Sequence, residues 1–208
     1  GVNAMVIGVT NVGKSSVINR LLGKRIATVS KYPGTTIKNT LNMIPFTNIG
    51  LYDTPGLIPE GRASDLLCDS CAQKIIPAGE ISRKTFKAKY DRIIMIDNLV
   101  KIRVLNDEEV KPIFAIYAAK DVKFHETTIE RAKELEEGNF FDIPCECCRD
   151  EYNKHKKITK TLTIKTGEEL VFKGLGWVSV KRGPLKIEVT LAEEIEISIR
   201  KAFIKPRR

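Results

Sequence analysis

Gly8-Val9-Thr10-Asn11-Val12-Gly13-Lys14-Ser15 fits G-x-x-x-x-G-K-[ST] at every fixed position. No other feature of the chain restricts its fold so sharply, because this loop works only between a buried strand and a helix. Both flanks are present: residues 3–9 (NAMVIGV) form a short apolar run, and Lys14 to Leu22 reads as a helix. Strand, glycine-rich turn and helix open a parallel α/β sheet. The glycines let the loop curl so that backbone N–H groups point inward at a β-phosphate. The helix start adds positive partial charge. Lys14 is expected to reach the β- and γ-phosphates and the Ser15 hydroxyl to bind Mg²⁺. Asn11, Val12, Gly13 and Ser16 complete the run expected to line the nucleotide.

Two further segments stand at the spacing this loop requires. Asp53-Thr54-Pro55-Gly56 closes the strand-like NIGLYD. A carboxylate leaving a strand beside a phosphate loop is placed to hold Mg²⁺, directly or through water, and the Gly56 N–H can approach a γ-phosphate unhindered. Pro33-Gly34-Thr35-Thr36 lies between them in a polar loop. A threonine hydroxyl there, assigned to Thr36, would join Mg²⁺ only while the γ-phosphate is present, which makes the loop a switch. The expected catalytic groups are thus Lys14, Thr36 and Gly56, and the expected Mg²⁺ ligands Ser15, Thr36 and Asp53.

The three motifs in this order look like the translation-factor-related GTPases, and GVTNVGKSSVINRLL resembles the YqeH group of circularly permuted GTPases. AAKDVKFHETTIERAKELEE and VFKGLGWVSV are similar to later segments of that group, so the resemblance runs with gaps along nearly all of the chain. It implies GTP and GDP as ligands and small-ribosomal-subunit RNA or a ribosomal protein as partner. It also implies guanine-reading motifs ahead of the P-loop, behind a zinc-binding segment, so that this chain reads as a part lacking both. The residues agree with permutation. No N-K-x-D follows Gly56: in Ala118-Ala119-Lys120-Asp121 the Lys and Asp are adjacent, and Asn153-Lys154-His155-Lys156 lacks an Asp.

The expected fold class is α/β, a partial G-domain sheet followed by a smaller, β-rich α+β C-terminal domain. Residues 1–62 hold the P-loop and both switches, 63–84 form a linker or switch extension, and 85–208 form the C-terminal domain, which meets RNA, the ribosome or another partner. In that last segment ETTIERAKELEE reads as a helix with a capping box at Thr127-x-x-Glu130, 144–160 as a basic loop, and 161–199 as alternating antiparallel strands.

Where many GTPases orient water with a Gln after Gly56, this chain has Leu57. An aliphatic side chain cannot hydrogen-bond water, so slow intrinsic hydrolysis is expected. Asn11 matches the P-loop Asn that helps hold K⁺ in relatives with a hydrophobic residue at that place, which leads to an expectation of K⁺-stimulated turnover.

Thirty-five basic residues against 26 acidic ones give a net charge of +9, which favours a polyanionic partner. Lys154, His155, Lys156, Lys157 and Lys160 form one basic cluster, and Arg200, Lys201, Lys205, Arg207 and Arg208 another. Few aromatics accompany them, which suits RNA-backbone contact, and DNA is not expected. No apolar run approaches the ~20 residues of a membrane span, no leader is visible, and a cytoplasmic location is expected. Cys68-x-x-Cys71 and Cys145-x-Cys147-Cys148 form either a zinc site or free thiols. Free thiols are favoured because the two groups stand in different candidate domains. His125 reads as structural and Trp177 as core. Beside the GTPase reading stand a nucleotide-sensing RNA-binding module with negligible turnover and a small P-loop ATPase.

Overall fold

The computed structural model describes residues 1–9, 13–24, 40–57, 59–77, 79–107 and 109–203. They form two compact units, Gly1–Glu60 and Gly61–Arg208.

In the first unit, β1 (Val2–Val6) pairs in parallel with β3 (Ile49–Asp53), and β2 (Thr40–Met43) runs antiparallel on the other side of β3. Helix α1 (Lys14–Leu22) carries one apolar stripe, Ile18 and Leu22, spaced i,i+4. These side chains pack on Leu51, with Val6 and Ile44 at the margin. The helix starts at Gly13, whose φ of 96° is a left-handed conformation that suits a residue without Cβ. It ends at Gly23, again left-handed, whose N–H bonds the Arg20 carbonyl. Much of the apolar surface is outside this small core: Val2, Met5, Ile7, Leu41 and Met43 are all exposed. A three-stranded sheet with such a surface is what part of a G domain shows.

The second unit consists of two five-stranded antiparallel sheets. One has the order β13 (Ile197–Lys201), β10 (Glu168–Phe172), β11 (Gly176–Arg182), β7 (Ile113–Ala119), β4 (Ile81–Lys87). The other has the order β8 (Phe124–Thr127), β5 (Ile93–Ile96), β6 (Val100–Val104), β12 (Leu185–Ala192), β9 (Lys157–Ile164). Alternation drives the burial: Val100, Ile102 and Val104 of β6 are buried while Lys101 and Arg103 are half-exposed. Inward residues of both sheets, among them Phe114, Ile116, Val178, Ile102, Ile187 and Val189, share one apolar core. β5 is buried on both faces. Ile94 and Ile96 point into that core, while Ile93 and Met95 pack under α3 (Ile129–Glu137) with Ala132, Leu135 and Phe141.

Several expectations change here. The second unit, Gly61–Arg208, is the larger of the two, and residues 63–84 belong to it instead of forming a linker. Ala63–Leu66 form a 3-10 turn, Asp69–Ile75 form α2, and β4 begins at Ile81, with Ala63, Cys71 and Ile75 buried in the main core. Residues 146–154 form a helix, α4, where a basic loop is expected. Only Cys148 and Tyr152 of it are buried, spaced i,i+4, so its apolar stripe is one residue wide and sits in a polar sequence. Thr128, not Thr127, caps α3, its hydroxyl accepting the Arg131 N–H at 3.3 Å. Thr127 is the buried end of β8, and an Arg at the third helical position offers no reciprocal bond, so there is no capping box. Trp177 is half-buried outside the core, stacked on Tyr117 at 4.9 Å, with the Arg200 guanidinium 5.9 Å from its ring centroid.

The β5–β6 turn contains a titratable group with a measurable consequence. Asp97 is fully buried at φ 43°, and its Oδ2 accepts the Lys123 N–H at 2.8 Å while Oδ1 has no partner among the described residues. Burial pushes its carboxyl up to about 7; the Lys123 amide and the Lys123 and Lys74 charges oppose this, while Asp142 adds to it. With the folded value above the unfolded one, the native state holds the proton more tightly between pH 4 and 7. Stability therefore falls as pH rises through that window, by up to on the order of 4 kcal/mol. Asp97→Asn keeps the acceptor for Lys123 and suits a left-handed residue. Urea unfolding at pH 4.5 and 7.5 is expected to show a much smaller difference in the variant than in the parent chain.

Candidate phosphate and magnesium site

The strand order of the first unit brings the ends of β1 and β3 side by side, and the candidate residues follow from those ends. Leu57 N–H donates to the Gly8 carbonyl at 3.0 Å, and Val9 and Leu57 form a parallel bridge, so the D-T-P-G turn is tied to the start of the phosphate loop. Half-buried Gly56 is in that turn. The Thr54 hydroxyl donates to the Val6 carbonyl at 2.8 Å, fastening the turn to β1. Nothing in the sequence signals this anchor, since a Thr after Asp53 forms no distinguishing pattern.

Lys14 opens α1 and folds back over the loop, its Nζ donating to the carbonyls of Gly8 at 3.0 Å and Val9 at 2.8 Å. Ser15 Oγ donates to Asp53 Oδ2 at 3.2 Å across 38 residues of sequence. Asp53 is 1 % exposed, and its Oδ1 is buried without a hydrogen-bond partner among the described residues. An isolated buried carboxylate oxygen is costly unless a cation or donor completes it. One hydroxyl and one carboxylate, hard oxygens side by side, suit Mg²⁺, which takes few protein ligands and fills its octahedron with water and phosphate. Lys14, Ser15 and Asp53 are thus assembled, with Gly13 at the helix start. Ser16 is exposed in the first turn of α1. Asn11, Val12 and Thr36 lie outside the described residues.

This arrangement agrees with what the chain matches. A family described as 50S ribosome-binding GTPase matches residues 3–137. The chain belongs to that family. Residues 111–203 also match the C-terminal region of YqeH-like proteins. The protein YqeH of Bacillus subtilis (strain 168) is 27% identical over 211 residues, covering 98% of this chain and 57% of that protein. The YqeH resemblance therefore extends through both units of this GTPase family member. The tRNA modification GTPase MnmE of Thermoanaerobacter sp. (strain X514) is 32% identical over 179 residues, 84% of this chain and 35% of that protein. GTPase Era of Xanthomonas oryzae pv. oryzae (strain MAFF 311018) is 29% identical over 140 residues, 65% of this chain and 46% of that protein. The chain thus spans little more than half of the YqeH relative and less of the others.

The match to the GTPase family runs past the first unit into antiparallel strands. Ala118 and Ala119 end β7, which lies between antiparallel β11 and β4, and Lys120-Asp121 form the turn that follows. A G domain's guanine-reading strand is not built this way. The near-match to N-K-x-D is the turn by which the chain passes from β7 in one sheet to β8 in the other.

The basic clusters are largely spoken for. Lys154 pairs with Glu151, His155 with Glu194 and Lys156 with Glu193. Lys157 Nζ lies 3.6 Å from the centroid of the Tyr152 ring, and burial lowers its ammonium to about 8. Arg200 Nε bonds buried Glu169 at 3.1 Å and its guanidinium lies over Phe203. Lys160 and Lys201 have no carboxylate partner among the described residues, and Lys205, Arg207 and Arg208 lie outside them. His125, half-buried in β8, meets the Phe140 ring edge-on at 4.8 Å. Burial and the nearby Lys84, Arg131 and Arg92 hold its imidazole below the usual histidine range, as suits a packing residue.

Proposed function

We propose that this chain supplies the phosphate- and Mg²⁺-binding part of a GTP-hydrolysing switch of the circularly permuted class, acting in assembly of the small ribosomal subunit in the cytoplasm. The observation that carries the reading is the Ser15–Asp53 pair, whose second Asp53 oxygen is buried without a partner among the described residues, one residue from Lys14 at the phosphate loop. Phosphoryl transfer needs charge neutralisation and an in-line water more than covalent chemistry. Lys14 and the loop amides provide fixed positive charge where the β- and γ-phosphates would sit. Ser15, Asp53 and Thr36 would hold Mg²⁺, which when bound neutralises the charge on the phosphate oxygens. Thr36 would make its contact only with triphosphate present, and the Gly56 N–H would sense the same group.

Leu57 is 62 % exposed and its side chain is aliphatic. It offers nothing to orient water, which favours slow turnover and lends weight to a second reading, a nucleotide-sensing ribosome-binding module with negligible hydrolysis. Single-turnover GTP hydrolysis with and without ribosomal subunits separates the two. Stimulation by subunits supports the switch, and no turnover in either condition supports the sensor. With Asn11 as a K⁺ ligand, hydrolysis in K⁺ buffer is expected to exceed that in Na⁺ buffer of equal ionic strength by about tenfold, roughly 1.4 kcal/mol of transition-state stabilisation. Equal rates would remove the K⁺ assignment.

The family's description names the 50S particle, whereas the YqeH resemblance leads us to the small subunit. Co-sedimentation of the longer protein with isolated 30S and 50S particles is expected to favour 30S in the triphosphate state.

A further inference from the structure

All five cysteines of the chain are in the second unit, none serves the nucleotide site, and the fold gathers them at one place. Cys68 is the N-cap of α2 and Cys71 lies within it; Cys145 is the N-cap of α4, with Cys147 and Cys148 in its first turn. The sulfurs of Cys68 and Cys145 are 3.5 Å apart, those of Cys145 and Cys147 3.0 Å, those of Cys68 and Cys147 3.3 Å, and those of Cys145 and Cys148 3.8 Å. The Sγ atoms of Cys68, Cys145, Cys147 and Cys148 all lie within 4.8 Å of one another.

Three explanations compete for such a cluster. Disulfides require about 2.05 Å between sulfurs, and no pair approaches that. Thiols used as small apolar packing groups are normally buried. Here Cys147 is exposed and Cys68 and Cys145 are half-exposed, so packing accounts for Cys71 and Cys148 but not for the other three. Four thiolates at the corners of a tetrahedron around an ion at about 2.3 Å stand about 3.8 Å apart, close to the observed spacing. The sequence pattern is suited to this. Cys145-x-x-Cys148 on the first helical turn puts two sulfurs on one side of α4, near the positive end of its peptide dipoles, where thiolates are favoured.

We propose that Cys68, Cys145, Cys147 and Cys148 form a structural zinc site. All four positions are filled by protein sulfur, which leaves no open place for a substrate and separates the site from catalytic zinc. Four thiolates choose a thiophilic cation over Mg²⁺ or Ca²⁺. The hollow beside Cys145 and Cys147 is bordered by Lys74 and Arg149 and equally by Asp142 and Glu146, so the lining itself is charge-balanced. Cys71 stands beneath as support. Its sulfur accepts the Cys145 N–H at 3.3 Å and lies 3.8 Å from Cys148, fixing the chain where α4 begins. The ion would bind α2 to α4 across 77 residues of sequence, so metal affinity becomes folding free energy for this unit.

The test is metal analysis of the 208-residue chain, purified reduced and without chelator. One zinc ion per chain is expected, with four thiols protected from alkylation until a chelator is added. Co²⁺ exchanged into the unmutated protein, which avoids any folding defect of a variant, is expected to give the intense visible bands and near-ultraviolet thiolate charge transfer of a tetrahedral thiolate site. Cys147→Ser is expected to lose stoichiometric zinc and Cys71→Ser to retain it; the opposite pattern would overturn Cys147 as the fourth ligand. A folded, reduced chain that takes up neither Zn²⁺ nor Co²⁺ and alkylates at all five thiols alike would overturn the site, as would iron in place of zinc.

Discussion

Replacing Lys14 with alanine is expected to lower affinity for a nucleoside triphosphate on the order of 100-fold while leaving the fold of the first unit intact. The Nζ now donates to the Gly8 and Val9 carbonyls, so the ammonium is already held over the phosphate loop. Exchange of those acceptors for two phosphate oxygens gives charge-assisted bonds worth about 1.5–3 kcal/mol each. Some of that is lost with the carbonyl contacts, leaving about 3 kcal/mol, or two decades in Kd. Alanine is the best helix former and Lys14 is the first residue of α1, so the helix itself is not weakened. Arginine is not expected to rescue, because its planar fork cannot occupy the space of an ammonium between two carbonyls. Titration of a fluorescent GTP analogue into parent, Lys14→Ala and Lys14→Arg chains, with circular dichroism as the check on folding, measures the effect.

The second large effect belongs to Gly176, in the GLGW segment. A Cβ built there would lie 2.2 Å from the Tyr117 carbonyl oxygen and 3.1 Å from Ala118 Cβ. Gly176 pairs with Ala118 at the end of the β11–β7 ladder and with Phe172 on its other side, so neither neighbouring backbone can yield without parting the sheet. Gly176→Ala is expected to cost about 3 kcal/mol or more, at the upper end of overpacking changes. Trp177, the chain's one tryptophan, is stacked on Tyr117 next to the clash. Its fluorescence in a urea titration therefore reports both the lower midpoint and any local opening. An unchanged midpoint would mean that β7 and β11 are not paired as described.

The meeting of Ser15 with Asp53 beside Lys14 was legible in the sequence because its signal is local: a Gly-Lys-Ser run opens a helix after one strand, and Asp53 closes a neighbouring strand. The split of the fold into a partial G-domain sheet and a β-rich unit was legible for a similar reason, since period-two burial in β6 and β12 is written in consecutive residues. What was not legible depends on distant partners. Cys68 and Cys145 read as separate thiols until α2 and α4 meet. Lys154 and Lys156 read as a free basic patch until Glu151 and Glu193 neutralise them. Trp177 read as core because its size suggests burial, yet its strand alternation turns it to the outer face beside Arg200. Helix α4 escaped because two buried positions in nine residues make too faint a stripe.

The proposed grip of Lys14, Ser15 and Asp53 is directed at phosphates, and no base-reading residue is found among the described ones. Equilibrium competition against labelled GTP with Mg²⁺ present measures that directly, using inorganic tripolyphosphate as the competitor. Tripolyphosphate is expected to displace the label within roughly tenfold of the concentration that unlabelled GTP needs, a difference of about 1.4 kcal/mol. Saturable GTP binding that tripolyphosphate cannot displace, or no saturable GTP binding at all, would contradict it.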